Sequence, residues 1–306
     1  MPAEIFGEGF KFLPRDEVLS FEEIARLTGA FGELGVDKVR ITGGEPLLHR
    51  DIVELVSQIR ASLPEADLAM TTNGLRLEPL IPALKNAGLD RLNISLDALD
   101  PDVAREMAGT NVNPAAVFQA ALAAQDAGFP VKINSVIRRG VNESQILPLA
   151  QAARDAGLTL RYIEFMDVGT KNAWALEEVV PSSEILTALS PHFDLKPIDP
   201  NYCGEVAKRY RDQKSGAELG FITSISTPFC GSCNRARISA DGTLYTCLFA
   251  HQGINLKSWL RDENLSESQL QERLCKVWQK RKDRYSEERT AETPMTTKPE
   301  MWAIGG

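Results

Sequence analysis

One local pattern recurs four times and limits what this chain can fold into: a helix-like segment ends at a glycine, and strand formers follow within a few residues. Glu33-Leu34-Gly35 precedes Val39-Arg40-Ile41-Thr42, and Asn86-Ala87-Gly88 precedes Arg91-Leu92-Asn93-Ile94-Ser95. Asp126-Ala127-Gly128 precedes Val131-Lys132-Ile133-Asn134, and Asp155-Ala156-Gly157 precedes Leu160-Arg161-Tyr162-Ile163-Glu164. Glycine closes a helix because it enters the left-handed region without a Cβ clash; β-branched and aromatic residues then favour extended chain. A further strand, residues 68–72, follows a helix with Ile52, Leu55, Val56 and Ile59 on one face. Ahead of these, Ser20-x-x-Glu23 reads as a capping box, with Phe21, Ile24, Leu27, Phe31 and Leu34 as the buried stripe of the first helix.

Five strands alternating with helices require a parallel sheet with crossover helices, either open and doubly wound or rolled into a βα barrel. The strand contents favour the barrel. Alternation puts Arg40 with Thr42, Asn93 with Ser95 and Asp97, Lys132 with Asn134, and Tyr162 with Glu164 and Met166. Such polar sets are costly against packed helices and suit an interior enclosing a polar ligand. Ile41, Leu92, Ile94, Leu96, Ile133 and Ile163 are then expected on the outer, helix-covered face. After Asp167 the rhythm changes. Pro181-Ser182-Ser183-Glu184 opens a short helix, residues 220–245 have hairpin character with Asp241-Gly242 as the turn, a helix covers 266–282, and the tail from 286 is polar. The expected organisation is α/β: a partial barrel over 1–180 and an α+β extension over 181–306.

With 306 residues, 43% of them hydrophobic, the chain can bury a sizeable core, and no apolar run approaches the roughly 18 to 20 residues of a membrane span. The opening Met1-Pro2-Ala3-Glu4 lacks the basic and apolar regions of a secretion signal, so a cytoplasmic protein is expected. Lys and Arg total 34 against 42 Asp and Glu, a formal charge of −8, which opposes loose binding to nucleic acid or anionic membrane. Any phosphate must be met by a few placed cations.

Of five cysteines, three form Cys230-x2-Cys233-x13-Cys247. A two-residue gap lets two thiolates grip one metal or cluster face, and a hairpin can return the third. A fourth ligand from Cys203 or Cys275 would close a structural zinc; without one, a catalytic metal or a cluster iron keeps an open position. Arg235 and Arg237, two apart on a strand, project together, and their guanidinium forks suit phosphate oxygens. Thr42-Gly43-Gly44-Glu45-Pro46 and Thr71-Thr72-Asn73-Gly74 sit at strand ends, where a ligand can approach the backbone closely. His49, His192 and His251 share no spacing and read as structural, and no Walker loop, G-x-G-x-x-G or G-x-S-x-G occurs.

These segments, with Asn93-Ile94-Ser95-Leu96-Asp97, Glu164-Phe165-Met166, Cys230-Gly231-Ser232-Cys233-Asn234-Arg235-Ala236-Arg237, Cys247 and the terminal Gly305-Gly306, resemble the radical SAM GTP 3′,8-cyclases of molybdenum cofactor biosynthesis. The motifs follow the family's order across nearly the whole chain. The resemblance implies a partial βα barrel and an extension whose Cys230, Cys233 and Cys247 hold an auxiliary [4Fe-4S] cluster with an iron open to the purine. It implies S-adenosylmethionine contacts from Gly44, Ser95 and Met166, and GTP contacts from Arg40, Thr71, Lys132, Arg235, Ala236 and Arg237. It also implies that Gly305 and Gly306 enter the active site. In such enzymes the 5′-deoxyadenosyl radical removes the ribose 3′ hydrogen and the C3′ radical attacks C8 of guanine, while the protein positions the reactants and excludes water.

The family holds a second, SAM-cleaving [4Fe-4S] cluster on Cys-x3-Cys-x2-Cys, which stands immediately before a Met-Pro-Ala-Glu-like segment. This sequence opens on that segment, so those ligands and the first barrel strand are expected upstream of Met1, in a longer natural protein. The competing expectation is a truncated form that retains GTP or zinc binding only; another radical SAM enzyme with an auxiliary cluster is the remaining alternative. A reductant protein, a transient encounter with cyclic pyranopterin monophosphate synthase and a monomeric or homodimeric state complete the implied partners, with neither nucleic acid nor membrane among them.

Overall fold

The computed structural model describes residues 13–14, 16–169, 174–288 and 299–304. Six strands run parallel in one sheet: β1 (Lys38–Ile41), β2 (Asp67–Thr72), β3 (Arg91–Ser95), β4 (Val131–Ile137), β5 (Thr159–Glu164) and β8 (Glu218–Ile222). Two antiparallel strands, β6 (Leu195–Ile198) and β7 (Lys208–Asp212), extend it in the order β1-β2-β3-β4-β5-β8-β7-β6. The sheet is open, with β1 and β6 at its edges, which makes the barrel partial.

Helix α1 (Phe21–Glu33) precedes β1, and α2 (Ile52–Ser62), α3 (Ile81–Asn86), α4 (Pro101–Ala108), α5 (Pro114–Asp126), α6 (Ile146–Asp155) and α7 (Ser182–Leu189) lie in the connections between the strands that follow. The glycine rule holds at each repeat: Gly35, Gly88, Gly128 and Gly157 have φ of 88°, 93°, 80° and 67°. The Ser20 box is formed in both directions, Ser20 N–H to Glu23 at 2.8 Å and Glu23 N–H to Ser20 Oγ at 3.2 Å.

The main core lies between sheet and helices. Ile41, Leu68, Met70, Leu92, Ile94, Ile133 and Leu160 meet Val56, Ile59, Val117, Ala121 and Leu149 there, all buried. The expected outer face is therefore correct for β1, β3 and β4. For β5 it is reversed. Arg161 pairs directly with Asn134, so Arg161 and Ile163 face the interior, while Leu160, Tyr162 and Glu164 face the helices. Tyr162 is fully buried against Phe221, and its hydroxyl donates to the Ile146 carbonyl at 2.5 Å. Alternation alone says which residues share a face; pairing with the neighbour says which face is inside.

A second correction concerns residues 220–222, which belong to β8, parallel to β5 on one side and antiparallel to β7 on the other, rather than to the hairpin that turns at Asp241-Gly242. The hairpin itself is smaller: β9 (Arg237–Ile238) and β10 (Thr243–Tyr245), turning at Asp241-Gly242, with β11 (Ile254–Asn255) on the other side of β10. This sheet, α8 (Lys257–Leu260) and α9 (Glu267–Gln279) build a second core in which Leu244, Leu256, Leu260, Leu270 and Leu274 pack on Leu19, Leu27 and Ala30 from the α1 region. The sheet thus crosses residue 180 without a break, and α1 joins the two cores. Two short helices follow, α10 (Tyr285–Glu288) and α11 (Met301–Ile304). The tail is anchored where it is described: Ile304 is buried, and the Glu300 carboxylate lies against Gly169. Gly305 and Gly306 lie outside the described residues.

Candidate functional site

Strand order brings the first group of expected residues to one rim. Gly44 follows β1, Asn73 follows β2, Ser95 ends β3 and Met166 lies two residues beyond β5, so all four stand at the carboxyl ends of parallel strands, where α/β sheets bind ligands. Gly44 and Ser95 are exposed, and Gly43 has a φ of 141° with open space where a Cβ would project, so the backbone there can be approached closely. Glu45 fixes this rim. Its carboxylate accepts from Leu47 N–H at 3.0 Å, Thr72 Oγ1 at 2.7 Å and Asn73 N–H at 2.7 Å, tying the loop after β1 to the end of β2.

Register assembles the interior below that rim. Thr71, Asn93 and Lys132 are direct partners across β2, β3 and β4, and Ser95, Asn134 and Arg161 are direct partners across β3, β4 and β5. Arg40 pairs with Ala69, which pairs with Arg91. Positive charge predominates here: Arg40 interacts with Arg235, Arg161 and Arg91, and Lys132 with Arg161 and Arg91, while Arg91 pairs with Asp67 at 2.6 Å and Glu205 and Glu218 act on Lys132 and Arg161. Enclosure by the surrounding protein, followed by this crowding, brings Arg40 down to about 10 although solvent still reaches its side chain, and brings Lys132 down to about 8. Burial lowers Arg161 as well. Like charges gathered at such a cost are the arrangement a polyanion would relieve. The interior also holds orphaned buried polar atoms: Thr71 Oγ1, Asn93 Oδ1, Asn134 Oδ1 and Arg235 Nε have no hydrogen-bond partner.

Cys230, Cys233 and Cys247 line one pocket with Phe229, Arg235, Arg237, Arg281 and Asp283. All three are free thiols, and neither Cys203 nor Cys275 lines this pocket. Cys275 is on α9 and accepts from Gln279 at 3.3 Å, so the closed four-cysteine zinc alternative is not assembled. Among the described residues, no three His, Cys, Asp or Glu side chains are gathered as a single metal ion requires. A tetrahedral zinc with bonds of about 2.3 Å holds its sulfurs about 3.8 Å apart. A cluster places each thiolate on a separate iron and spreads them further. Three thiols around one pocket, with no fourth cysteine beside them, are the donor set that a cluster with one open iron would use.

The pocket favours thiolate at one position. Burial opposes ionisation of Cys233, but Arg235 and Arg281 outweigh it and bring the thiol down to about 7; Arg235 donates to its sulfur at 3.2 Å. Arg281 also donates to the Cys233 carbonyl at 2.6 Å, and Gly231 N–H donates to Glu287 at 3.2 Å. Cys247 is pushed up by burial. Arg237, brought down to about 10 by burial and by Arg40 and Arg235, joins this pocket to the cationic interior. Arg235 and Arg237 thus belong to both halves of the site.

Of the residues expected from sequence, the structure thus collects Arg40, Thr71, Lys132, Arg235 and Arg237 around that field, Gly44, Ser95 and Met166 at the rim above it, and the three cysteines beside it. Exposed Ala236 lies between the two arginines. Sequence reading misses Arg91, two residues before Asn93 on the same face of β3, and Arg161, whose neighbours in β5 it assigns to the wrong face; pairing with Asn134 is the signal that finds Arg161. It also cast Glu164 as an interior residue. Glu164 is fully buried on the helix side, where its carboxylate accepts from Ser182 N–H and Oγ, Ile225 N–H, and Ser226 N–H and Oγ at 2.5 to 3.2 Å.

Comparison with known proteins places this arrangement. Residues 5–153 match the Radical SAM superfamily and residues 158–287 match Molybdenum Cofactor Synthesis C. A GTP 3′,8-cyclase of Staphylococcus haemolyticus is 45% identical over 294 residues, covering 96% of this chain and 86% of that protein, and one of Staphylococcus aureus is 44% identical over the same span. Among solved structures, Streptococcus suis SuiB superposes with a TM-score of 0.57 at 16% identity, over 84% of this chain and 63% of SuiB, a likeness of fold. With two family models in tandem and relatives of this identity along nearly its whole length, the chain belongs to the GTP 3′,8-cyclase family of radical SAM proteins of molybdenum cofactor synthesis.

Proposed function

We propose that the cationic interior binds the triphosphate of GTP through Arg40, Thr71, Lys132, Arg235 and Arg237, joined by Arg91 and Arg161, with the Ala236 backbone between the two forks. The observation that carries this reading is the meeting of the charge field with the three-cysteine pocket at Arg235 and Arg237. Triphosphate charge held by the interior leaves the base to lie against the pocket. Cys230, Cys233 and Cys247 would hold the auxiliary [4Fe-4S] cluster, which supplies an iron with an open position toward the base. Gly44, Ser95 and Met166 would receive S-adenosylmethionine at the rim, above the ribose. The reaction is then closure of GTP to (8S)-3′,8-cyclo-7,8-dihydroguanosine 5′-triphosphate, in which these residues fix the ribose and base against each other and exclude water.

The five cysteines of this sequence contain no Cys-x3-Cys-x2-Cys spacing. A protein carrying that segment ahead of Met1 would complete the cofactor set and draw electrons from a reductant protein. The product would pass to cyclic pyranopterin monophosphate synthase in a transient encounter. No helix among the described residues is long and apolar enough to cross a membrane, and the reading places the protein in the cytoplasm as a monomer or homodimer.

Metal analysis and nucleotide binding test this together. Anaerobically reconstituted chain is expected to hold about four irons and four sulfides and to bind GTP. One zinc per chain, or no metal, overturns the cluster assignment, and failure to bind GTP overturns the substrate assignment.

A further inference from the structure

Two asparagines occupy equivalent places in the sheet interior and have no role above. Asn93 is flanked across the sheet by Thr71 and Lys132, and Asn134 by Ser95 and Arg161. Each row reads hydroxyl, carboxamide, cation, and the second is displaced one strand from the first. Leu92 and Ile94 point into the helix-covered core, so Asn93 points the other way, toward the cations. Asn93 is 3% exposed, yet its Oδ1 has no partner, and the Oδ1 of Asn134 and the hydroxyl of Thr71 beside them are orphaned as well.

Orphaned polar atoms of this kind are rare in folded proteins, because an unmade buried hydrogen bond costs about 1–3 kcal/mol. Three in neighbouring rows, on the sheet face that carries Lys132 and Arg161, indicate a ligand that completes them. Carboxamide oxygens are acceptors, so the ligand must present donors. The cations around them account for phosphate oxygens, which only accept. What remains between a phosphate-binding field and a base-binding pocket is the sugar, whose hydroxyls donate.

We propose that Asn93 is a specificity-determining residue that accepts a hydrogen bond from a ribose hydroxyl of the nucleotide substrate, with Asn134 supporting the same sugar from the next row. The proposal rests on the assignment of Thr71 and Lys132 to GTP. For a ligand to reach these oxygens, the flexible Lys132 and Arg161 side chains swing onto its phosphates, so that phosphate binding and exposure of the carboxamides are one event. Selection of a ribonucleotide over its deoxy analogues follows, since an acceptor left without its hydroxyl stays unpaired in the complex.

Equilibrium dialysis of the reconstituted chain with GTP, 2′-deoxyGTP and 3′-deoxyGTP tests this. The unmodified chain is expected to prefer GTP over at least one analogue by about tenfold, and Asn93→Leu to lose that preference by weakening GTP about tenfold while the discriminated analogue moves less than about twofold. Asn93→Ser, which restores a short acceptor, is expected to recover part of the preference, and an unchanged melting temperature separates either result from misfolding. Equal weakening of GTP and both analogues, or no preference in the unmodified chain, overturns the proposal. A chain that binds none of the three brings down the GTP assignment and this proposal with it.

Discussion

The two halves of the site are positioned by different means. In the sheet interior, Arg40, Arg91, Lys132 and Arg161 are set by strand register, with each residue's place determined by main-chain ladders shared over many pairs. The cysteine pocket has no such frame. Cys230 and Cys233 lie on a short turn held by side chains: Arg281 on the Cys233 carbonyl, Glu287 on Gly231 N–H, Ser286 on the Ser224 carbonyl, and buried Glu164 on Ile225 and Ser226 just upstream. Ladders are redundant, whereas a single carboxylate serving five donors is not. Substitutions in the first region should therefore change affinity and leave the architecture intact, while substitutions in the second should displace the cysteines themselves.

The largest effect is expected at Glu164. Glu164→Gln turns an amide NH2 toward groups that are themselves donors and should cost about 3 kcal/mol, lower the melting temperature and reduce iron retained per chain after anaerobic desalting. Full iron retention would show that the turn does not depend on this anchor. Next is Arg161→Ala, which should weaken GTP binding roughly 10- to 100-fold by removing a charged contact worth about 1.5–3 kcal/mol, with iron content unchanged. Loss of iron there would erase the distinction between the two regions.

The smallest effect is a pH dependence. Lys132, brought down to about 8, is charged below that pH and neutral above it, so GTP affinity should fall several-fold between pH 7 and 9, while Arg40 and Arg237, near 10, keep their charge over that range. Lys132→Arg should flatten the profile, which a titration calorimetry series would reveal. A slope that survives in that variant would have to come from another group.

Main-chain logic was the legible part of the sequence. Helix ends at glycine, the capping box, and the interior placement of Arg40, Asn93 and Lys132 follow from conformational preference and period, both local properties. The cysteine spacing was equally plain. What escaped was the face of β5, because Tyr162 and Glu164 are polar yet buried among helices, each satisfied by partners distant in sequence: the Ile146 carbonyl for Tyr162, Ser182 and Ser226 for Glu164. A buried carboxylate met by five donors looks, in one dimension, like a carboxylate facing a substrate. Arg161 was hidden for the complementary reason: its pairing with Asn134, rather than its own neighbours in sequence, reveals that it looks inward, whereas Arg91 shares the face of Asn93 by alternation alone.

The order of the sheet has a consequence for synthesis. β8 is the last of its strands to leave the ribosome, yet it is the one that docks on β5, and β7 and β6 attach only through it. The nascent segment from β6 to β7 therefore waits, with its hairpin unsupported, until residues 218–222 emerge. Cys230 and Cys233 are translated soon afterwards, but Arg281, Asp283 and Ser286, which line the same pocket, follow only after α9. The sheet can thus be complete before the cysteine pocket is, and the pocket is finished against a frame already in place.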